Sequence, residues 1–394
     1  MKFVYFIIVM FLIIFLLVIS YVFYSKVMQK IDLKRTKRYE NEMRPIIEKH
    51  LKICDPLDIR RKELVDLQEK VRTKPGLQAF NKIYFEKVAQ DGLDEHLRNY
   101  VRLIIDYQTL YKNRIVRDKY RKSYILYLLA EYYMNSDEVI QYALSSLNNK
   151  SQYVRNNALR VLRNTGNVEA FIAAYHNISK GQLYFNKKVI VDFIDCFQGD
   201  MSELNKVLGS TISEFSSQIQ KVIVEHFANQ KISDFSEEIL NLIRVSNDKE
   251  VIISGIKYFG IIRYQQAYDF IVSQFNGENY ETRAVCANTI ALYRCEETIN
   301  LLKKNITDSN WFVRYNSAFS LIHLEEGDIF NPNSLVAKII QGNDRFAKEM
   351  IIYTLYSTHL INNDNYEEKL ACFQPEKIEE EDVIHDSRTY HPVY

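Results

Sequence analysis

Apolar residues recur three and four positions apart along most of the chain and seldom alternate, a pattern that predicts amphipathic helices, not strands. Three segments, DKEVIISGIKYFGII, NYETRAVCANTIALY and NWFVRYNSAFSLIHL, superpose without a gap at an offset of 31 residues, anchored on Val251, Thr282 and Val313. Four residues after each anchor stands a small residue (Gly255, Cys286, Ser317), and eight after it a large apolar one (Phe259, Ile290, Leu321). Those spacings place all three on one helical face. SQYVRNNALRVLRNTG repeats the scheme with Val154, Ala158 and Leu162. Phe185, Val189 and Phe193, then Ile219, Ile223 and Phe227, fill the interval, and weaker copies flank it at Tyr120, Tyr124 and Leu128 and at Phe346, Met350 and Thr354. The anchors fall at 120, 154, 185, 219, 251, 282, 313 and 346, with steps of 31 to 34 residues.

A second helical stretch precedes most anchors, as in DEVIQYALSSL, NVEAFIAAYHNI, FSEEILNLI, QQAYDFIVSQF and ETINLLKKNI. Short polar turns such as TDSN and NDKE connect the two, and Asp308, Ser309 and Asn310 are placed to cap the next helix by accepting its free amide hydrogens. Each unit is therefore a helical hairpin of about 32 residues. One hairpin cannot bury both its faces; stacked neighbours share a continuous core, and the small residue lets adjacent helices approach closely.

An acidic or Asn turn, then Val-Arg, then small and apolar residues, as in DSNWFVRYNSAFSLI and NKSQYVRNNALRVL, resembles the second helix of HEAT repeats, including the HEAT-like repeats of phycobilisome-lyase type. The resemblance covers roughly residues 91–361. It implies an all-α, HEAT-like α-solenoid of about eight helical hairpins, and it implies no single function, because such repeats serve unrelated partners. Arg155, Arg283 and Arg314 are expected to bond to a turn carboxylate or carbonyl of a neighbouring repeat. Asn186, Gln220 and Ile252 stand at the equivalent position elsewhere, so a continuous charged ladder is not expected.

Residues 1–25 read as a transmembrane helix. From Phe3 to Ser25 there is no charge, and at about 1.5 Å per residue the run spans roughly 34 Å, enough for a bilayer core. A cleaved signal peptide has a shorter apolar core ending in small residues, whereas this run ends in the bulky Tyr21-Val22-Phe23-Tyr24. Lys26, Lys30, Lys34, Arg35, Lys37 and Arg38 follow it, opposed by Asp32 alone. That asymmetry predicts a single-pass protein with its repeats and C-terminus in the cytoplasm, and the same residues can touch anionic headgroups. Residues 26–90 read as a juxtamembrane helical linker, with Pro45, Pro56 and Pro75 predicting short helices joined by kinks. Residues 362–394 read as an acidic, disordered tail ending in the aromatic YHPVY.

Charge and chemistry narrow the functions. Lys and Arg total 51 against 50 for Asp and Glu, so no overall field attracts nucleic acid. Cys54, Cys196, Cys286, Cys295 and Cys372 are odd in number and lack a C-x-x-C pair, as expected in a reducing compartment. No phosphate-cradling loop, H-E-x-x-H pair or G-x-S-x-G elbow is present. His50 and Cys54 could share a helical face, but two ligands make no zinc site. No catalytic, cofactor-binding or metal-ligating residue is nominated, and no small-molecule substrate is expected. One local cluster, Lys112, Arg114, Arg117, Lys119, Arg121 and Lys122, is a candidate patch for an anionic partner. The expected role is a membrane-anchored cytoplasmic scaffold for a protein partner. Similarity to membrane-anchored bacterial HEAT-repeat proteins implies an accessory of an envelope or polysaccharide-synthesis complex, such as a membrane glycosyltransferase. Two alternatives would be a nucleic-acid protein of the HEAT-like DNA glycosylase type, needing a basic groove, and a HEAT-like lyase, needing a ligand-sized polar pocket.

Overall fold

A computed structural model describes residues 2–53, 59–106, 110, 119–181, 183–325 and 328–373. Among these residues the protein is all-α, a solenoid of helical hairpins with no strand. The chain divides into two compact units, 1–205 and 206–394. In the first, α1 (Lys2–His50) precedes the packed pair α2 (Arg61–Val71) with α3 (Lys74–Asp91), then α4 (Glu95–Ile104) and α5 (Lys119–Glu131), the packed pair α6 (Asp137–Ser146) with α7 (Gln152–Thr165), and α8 (Val168–Lys180) and α9 (Lys187–Asp195). Helix α10 (Met201–Ser210) runs across the boundary. The second unit holds α11 (Ser217–Asn229), then α12 (Ser236–Val245) with α13 (Lys249–Phe259), α14 (Tyr268–Phe275) with α15 (Tyr280–Ile290), α16 (Glu296–Asn305) with α17 (Trp311–His323), α18 (Leu335–Gln341) with α19 (Arg345–Ser357), and finally α20 (Tyr366–Ala371).

The second helices of successive hairpins pack on one another: α5 on α7 in the first unit, and α11, α13, α15, α17 and α19 in order in the second. Val154, Ala158, Leu162, Val251, Gly255, Phe259, Thr282, Cys286, Ile290, Val313, Ser317 and Leu321 are all buried. A Cβ on Gly255 would come within 2.4 Å of Ile243 Cγ2, so glycine is there because α12 leaves no room for more. Polar side chains join neighbouring helices across the same seam. Asn157 donates to Ser123 O (2.9 Å), Asn164 to Ala130 O (2.9 Å), Asn316 to Ala284 O (2.8 Å) and Ser320 to Ala287 O (2.8 Å).

The arginine after the anchor is a brace. Arg283 Nη1 donates to the carbonyls of Gly277 (2.9 Å) and Glu278 (2.7 Å), while Nε and Nη2 grip the Asp308 carboxylate of the next turn at 2.9 and 3.1 Å. Arg155 holds Asn149 O and Lys150 O in its own turn and Tyr184 O (2.7 Å) in the following one. Arg314 completes the Asp308 turn from the other side, donating to Asp308 O (2.9 Å) and Ser309 O (3.0 Å). Gln220 is a shorter substitute, reaching Phe215 O at 2.9 Å. Burial alone would push the Asp308 carboxyl up, but the bonds from Arg283 and the Asn310 amide outweigh it and hold the group below its ordinary range.

Three expectations shift. Residues 26–90 are no string of short kinked helices: α1 is continuous through Pro45, its lower part packed on α3 with Met43 and Ile47 buried. That packing holds the helix together across the proline's missing donor. Pro75 opens α3, where no donor is needed, and Pro56 lies outside the described residues. The α2–α3 pair is a further hairpin of the stack. Asn81 and Tyr84 of α3 bond to Tyr124 OH (3.0 Å) and Glu131 O (2.7 Å). At the other end, order persists past 361: Phe373 is buried, its ring 5.4 Å from Phe330 and its carbonyl bonded to Gln341. Residues 374–394, most of the acidic segment, lie outside the described residues. Finally, the weaker anchors slip. Asp344 caps α19 and makes Ala347 its buried third residue, leaving Phe346 exposed, and Phe185 precedes α9, where Ile190, Val191 and Ile194 face inward.

Replacing Gly255 with Leu should overpack α12 against α13 and cost about 1–3 kcal/mol. Ser317 Oγ is buried without a hydrogen-bond partner, so Ser317→Ala should be neutral or slightly stabilising while Ser317→Leu destabilises; urea midpoints of the four proteins compare these directly. Because Asp308 titrates below its unfolded value of 3.8, its contribution is present above that pH and lost as pH falls through the folded pKa. Asp308→Asn should lower stability at pH 7 by about 1–3 kcal/mol and flatten the acid limb of the stability profile.

Candidate functional site

Helix α17 carries two faces. Val313, Ser317 and Leu321 turn inward, so Trp311, Tyr315, Phe319 and His323, also spaced by four, form a second stripe. Trp311 stacks on Tyr315 (centroids 5.2 Å apart, planes at 8°), and both meet Tyr353 of α19 edge-on at 5.8 and 6.1 Å. Phe319 and His323 lie 4.0 Å apart, with His323 Nδ1 2.8 Å from Phe319 O. These rings stay partly open to solvent: Trp311 is 39% exposed, Tyr353 50%, and the adjacent Phe312 and Phe346 57% and 70%.

Beside the stripe is a concavity of about 360 Å³ between α15 and α17, lined by Asn288, Ala291, Tyr315, Asn316, Phe319, Ser320 and His323. Asn316 and Ser320 are tied to the carbonyls of α15, whereas Asn288 is exposed with no hydrogen bond among the described residues. Its amide can donate to and accept from a bound backbone. Lys, Arg, Asp and Glu are absent from this lining. A second concavity of about 320 Å³, where α1 and α3 end and α4 begins, has Glu48, Lys52, Lys87, Asp91, Asp94 and His96 around it. There Lys87 pairs with Asp91, and Asp94 caps α4.

The basic patch read from the sequence is only partly visible. Lys112, Arg114 and Arg117 lie outside the described residues, and Lys119 is the first residue of α5. Arg121 is a correction: it is only 8% exposed, and burial draws its guanidinium pKa down. Lys122 is half-buried, its ammonium 5.4 Å from the Tyr142 ring centre. Long basic stems cover apolar surface readily, and here they serve packing. His50, the other side chain weighed for chemistry, is fully buried between Tyr100 OH (3.0 Å) and Glu63 Oε2 (2.8 Å), while Cys54 lies outside the described residues. The aromatic stripe was missed because its residues share the period of the core face; the cue was Trp, Tyr, Phe and His two positions ahead of the anchor register.

No protein-family model and no curated protein matches the chain. Among solved structures it is similar to a designed armadillo repeat protein, with 16% identity over 56% of this chain and 100% of that chain, at a TM-score of 0.23.

Trp311→Ala should cost about 0.5–1.5 kcal/mol, the worth of its ring contacts, against about 2–5 kcal/mol for the buried Leu321→Ala. Equal losses in thermal unfolding would place Trp311 in the core instead of on a binding face.

Proposed function

We propose that the protein is a single-pass, membrane-anchored scaffold of HEAT-like type, with its hairpin stack in the cytoplasm, and that it binds a protein partner without catalysing a reaction. The observation that carries this reading is the continuity of α1. Its upper half presents large apolar side chains to the exterior, among them Phe3 (74% exposed), Phe15 (63%) and Tyr24 (64%), while its lower half is built into the first hairpins. Arg44 pairs with Glu40 and Glu86, Lys82 with Glu40, and Lys49 and His50 both reach Glu63. Lipid is the environment that such an exposed apolar helix requires. The length of the run and the basic residues after it support an uncleaved, inward-facing anchor.

The aromatic stripe and its concavity are the docking surface in this reading. An uncharged wall of rings beside a free amide suits an extended peptide segment, its apolar side chains on Trp311 and Tyr353 and its backbone on Asn288. That lining holds no cation for phosphate, which favours a protein partner over nucleic acid. Tethering raises the effective concentration of the surface toward membrane-bound partners. An envelope or polysaccharide-synthesis complex, such as one built on a membrane glycosyltransferase, is a partner consistent with the resemblance of the repeats to HEAT-like proteins.

Crosslinking in intact membranes tests the reading. Full-length protein should capture a membrane-bound partner that a chain lacking residues 1–25 captures poorly, and a reporter fused after Tyr394 should be cytoplasmic; an external reporter overturns the topology. Trp311, the sole tryptophan, should change emission when the captured partner is added, and Trp311→Ala should weaken binding by about thirty-fold, the scale of an interface hot spot.

A further inference from the structure

Past the apolar run, α1 carries a row of lysines that nothing in the fold uses. At about 100° per residue, Lys26, Lys30, Lys34 and Lys37 fall within an arc of about 80°. All four are exposed, and none has an ion-pair partner among the described residues. The acids and packing residues of this stretch point elsewhere. Asp32 pairs with Lys74 (3.5 Å), Thr36 bonds to Gln78 (3.3 Å), Glu40 pairs with Lys82 (2.8 Å), and Met43 is buried. These residues mark the side of α1 that faces α3, its centre about a third of a turn from the centre of the lysine row. The helix thus separates its charges, with Asp32 and Glu40 neutralised against α3 and the four lysines left free on another side.

Resting on the anchored reading above, we propose that this row is a binding site for anionic phospholipid headgroups. Position supports that source of negative charge: Lys26 adjoins the apolar run and the rest continue from it in line. Length adds a condition. The row extends about 16 Å along the axis, whereas the headgroup layer on one side of a bilayer is about 5–7 Å deep. An upright α1 brings Lys26 and Lys30 to the lipid phosphates and leaves Lys34 and Lys37 beyond them. All four engage when α1 leans toward its lysine side, and interfacial basic side chains are among the features that set helix tilt.

The test uses the full chain, purified in a mild detergent with a defined mixture of phosphatidylcholine and phosphatidylglycerol, and the retained lipid is quantified by mass spectrometry. The wild type should retain phosphatidylglycerol at about three times its proportion in the mixture or more. Enrichment should fall toward unity in the Lys26→Gln, Lys30→Gln, Lys34→Gln, Lys37→Gln variant and in high salt, and persist when the exposed Lys187 and Lys188 are changed to Gln instead. Inorganic phosphate at 10 mM, a source of the same charge without a bilayer, should leave it intact. Equal retention of the two lipids by the wild type, or undiminished enrichment in the fourfold variant, overturns the proposal. So does binding of an acidic polypeptide by the same lysines without lipid enrichment, which would make the row a protein contact. Alkaline extraction of native membranes separates the two readings: a chain that washes off refutes the anchor, whereas one that stays but shows no lipid selectivity refutes only the lysine site.

Discussion

Everything in this molecule depends on how closely the second helices of successive hairpins approach. A hairpin of two short amphipathic helices leaves an apolar face uncovered, and only the next hairpin can cover it. The approach is set by small side chains at one position per turn of the stack. Gly255 sits where any Cβ would collide with Ile243, Cys286 is buried with its thiol pKa driven up by desolvation, and Ser317 is buried for its size and not for its hydroxyl. Close approach also brings backbone carbonyls of one helix within reach of Asn and Ser side chains of the next. Packing and hydrogen bonding thus specify the same register, and agreement between levels favours one native arrangement over slipped alternatives.

Legibility followed that register. Where a polar cap stands three residues before the anchor, as Asn310 does before Val313 and Asn279 before Thr282, the buried positions could be read directly. Arg283 was expected to grip a turn of a neighbouring repeat, and it does so through Asp308. Reading failed where an aromatic residue imitated an anchor. Phe346 has the right spacing but lies one residue too early for the Asp344 cap. The α2–α3 hairpin escaped because its seam is made by tyrosine and asparagine: Phe80 and Tyr84 pack edge-on against Tyr132, and Asn81 bonds to Tyr124 and Tyr132. The aromatic stripe of α17 shares its period with the core, so pattern alone could not say which face points outward. That depends on where α15 and α19 sit.

Electrostatics shows the same limit. A formal charge of +1 describes a chain without a long-range field, yet it conceals local order. Charge drawn from solvent goes into joints, as with the buried Arg155 and the half-buried Arg283, where several carbonyls or a carboxylate replace water around the guanidinium. Exposed charge is left over along one side of α1. Sequence counting could not distinguish Arg121, drawn inward, from Lys34, left outside.

The continuity of α1 also bears on synthesis. Ribosomes deliver this helix before the α2–α3 hairpin, and its lower half is the surface on which α3 condenses. Under the proposed topology, insertion of the apolar half fixes that surface at the membrane face while the rest is still being made. The α2–α3 hairpin then finds a finished neighbour to settle on. A chain whose α1 failed to insert would then lack a correctly placed first template as well as an address.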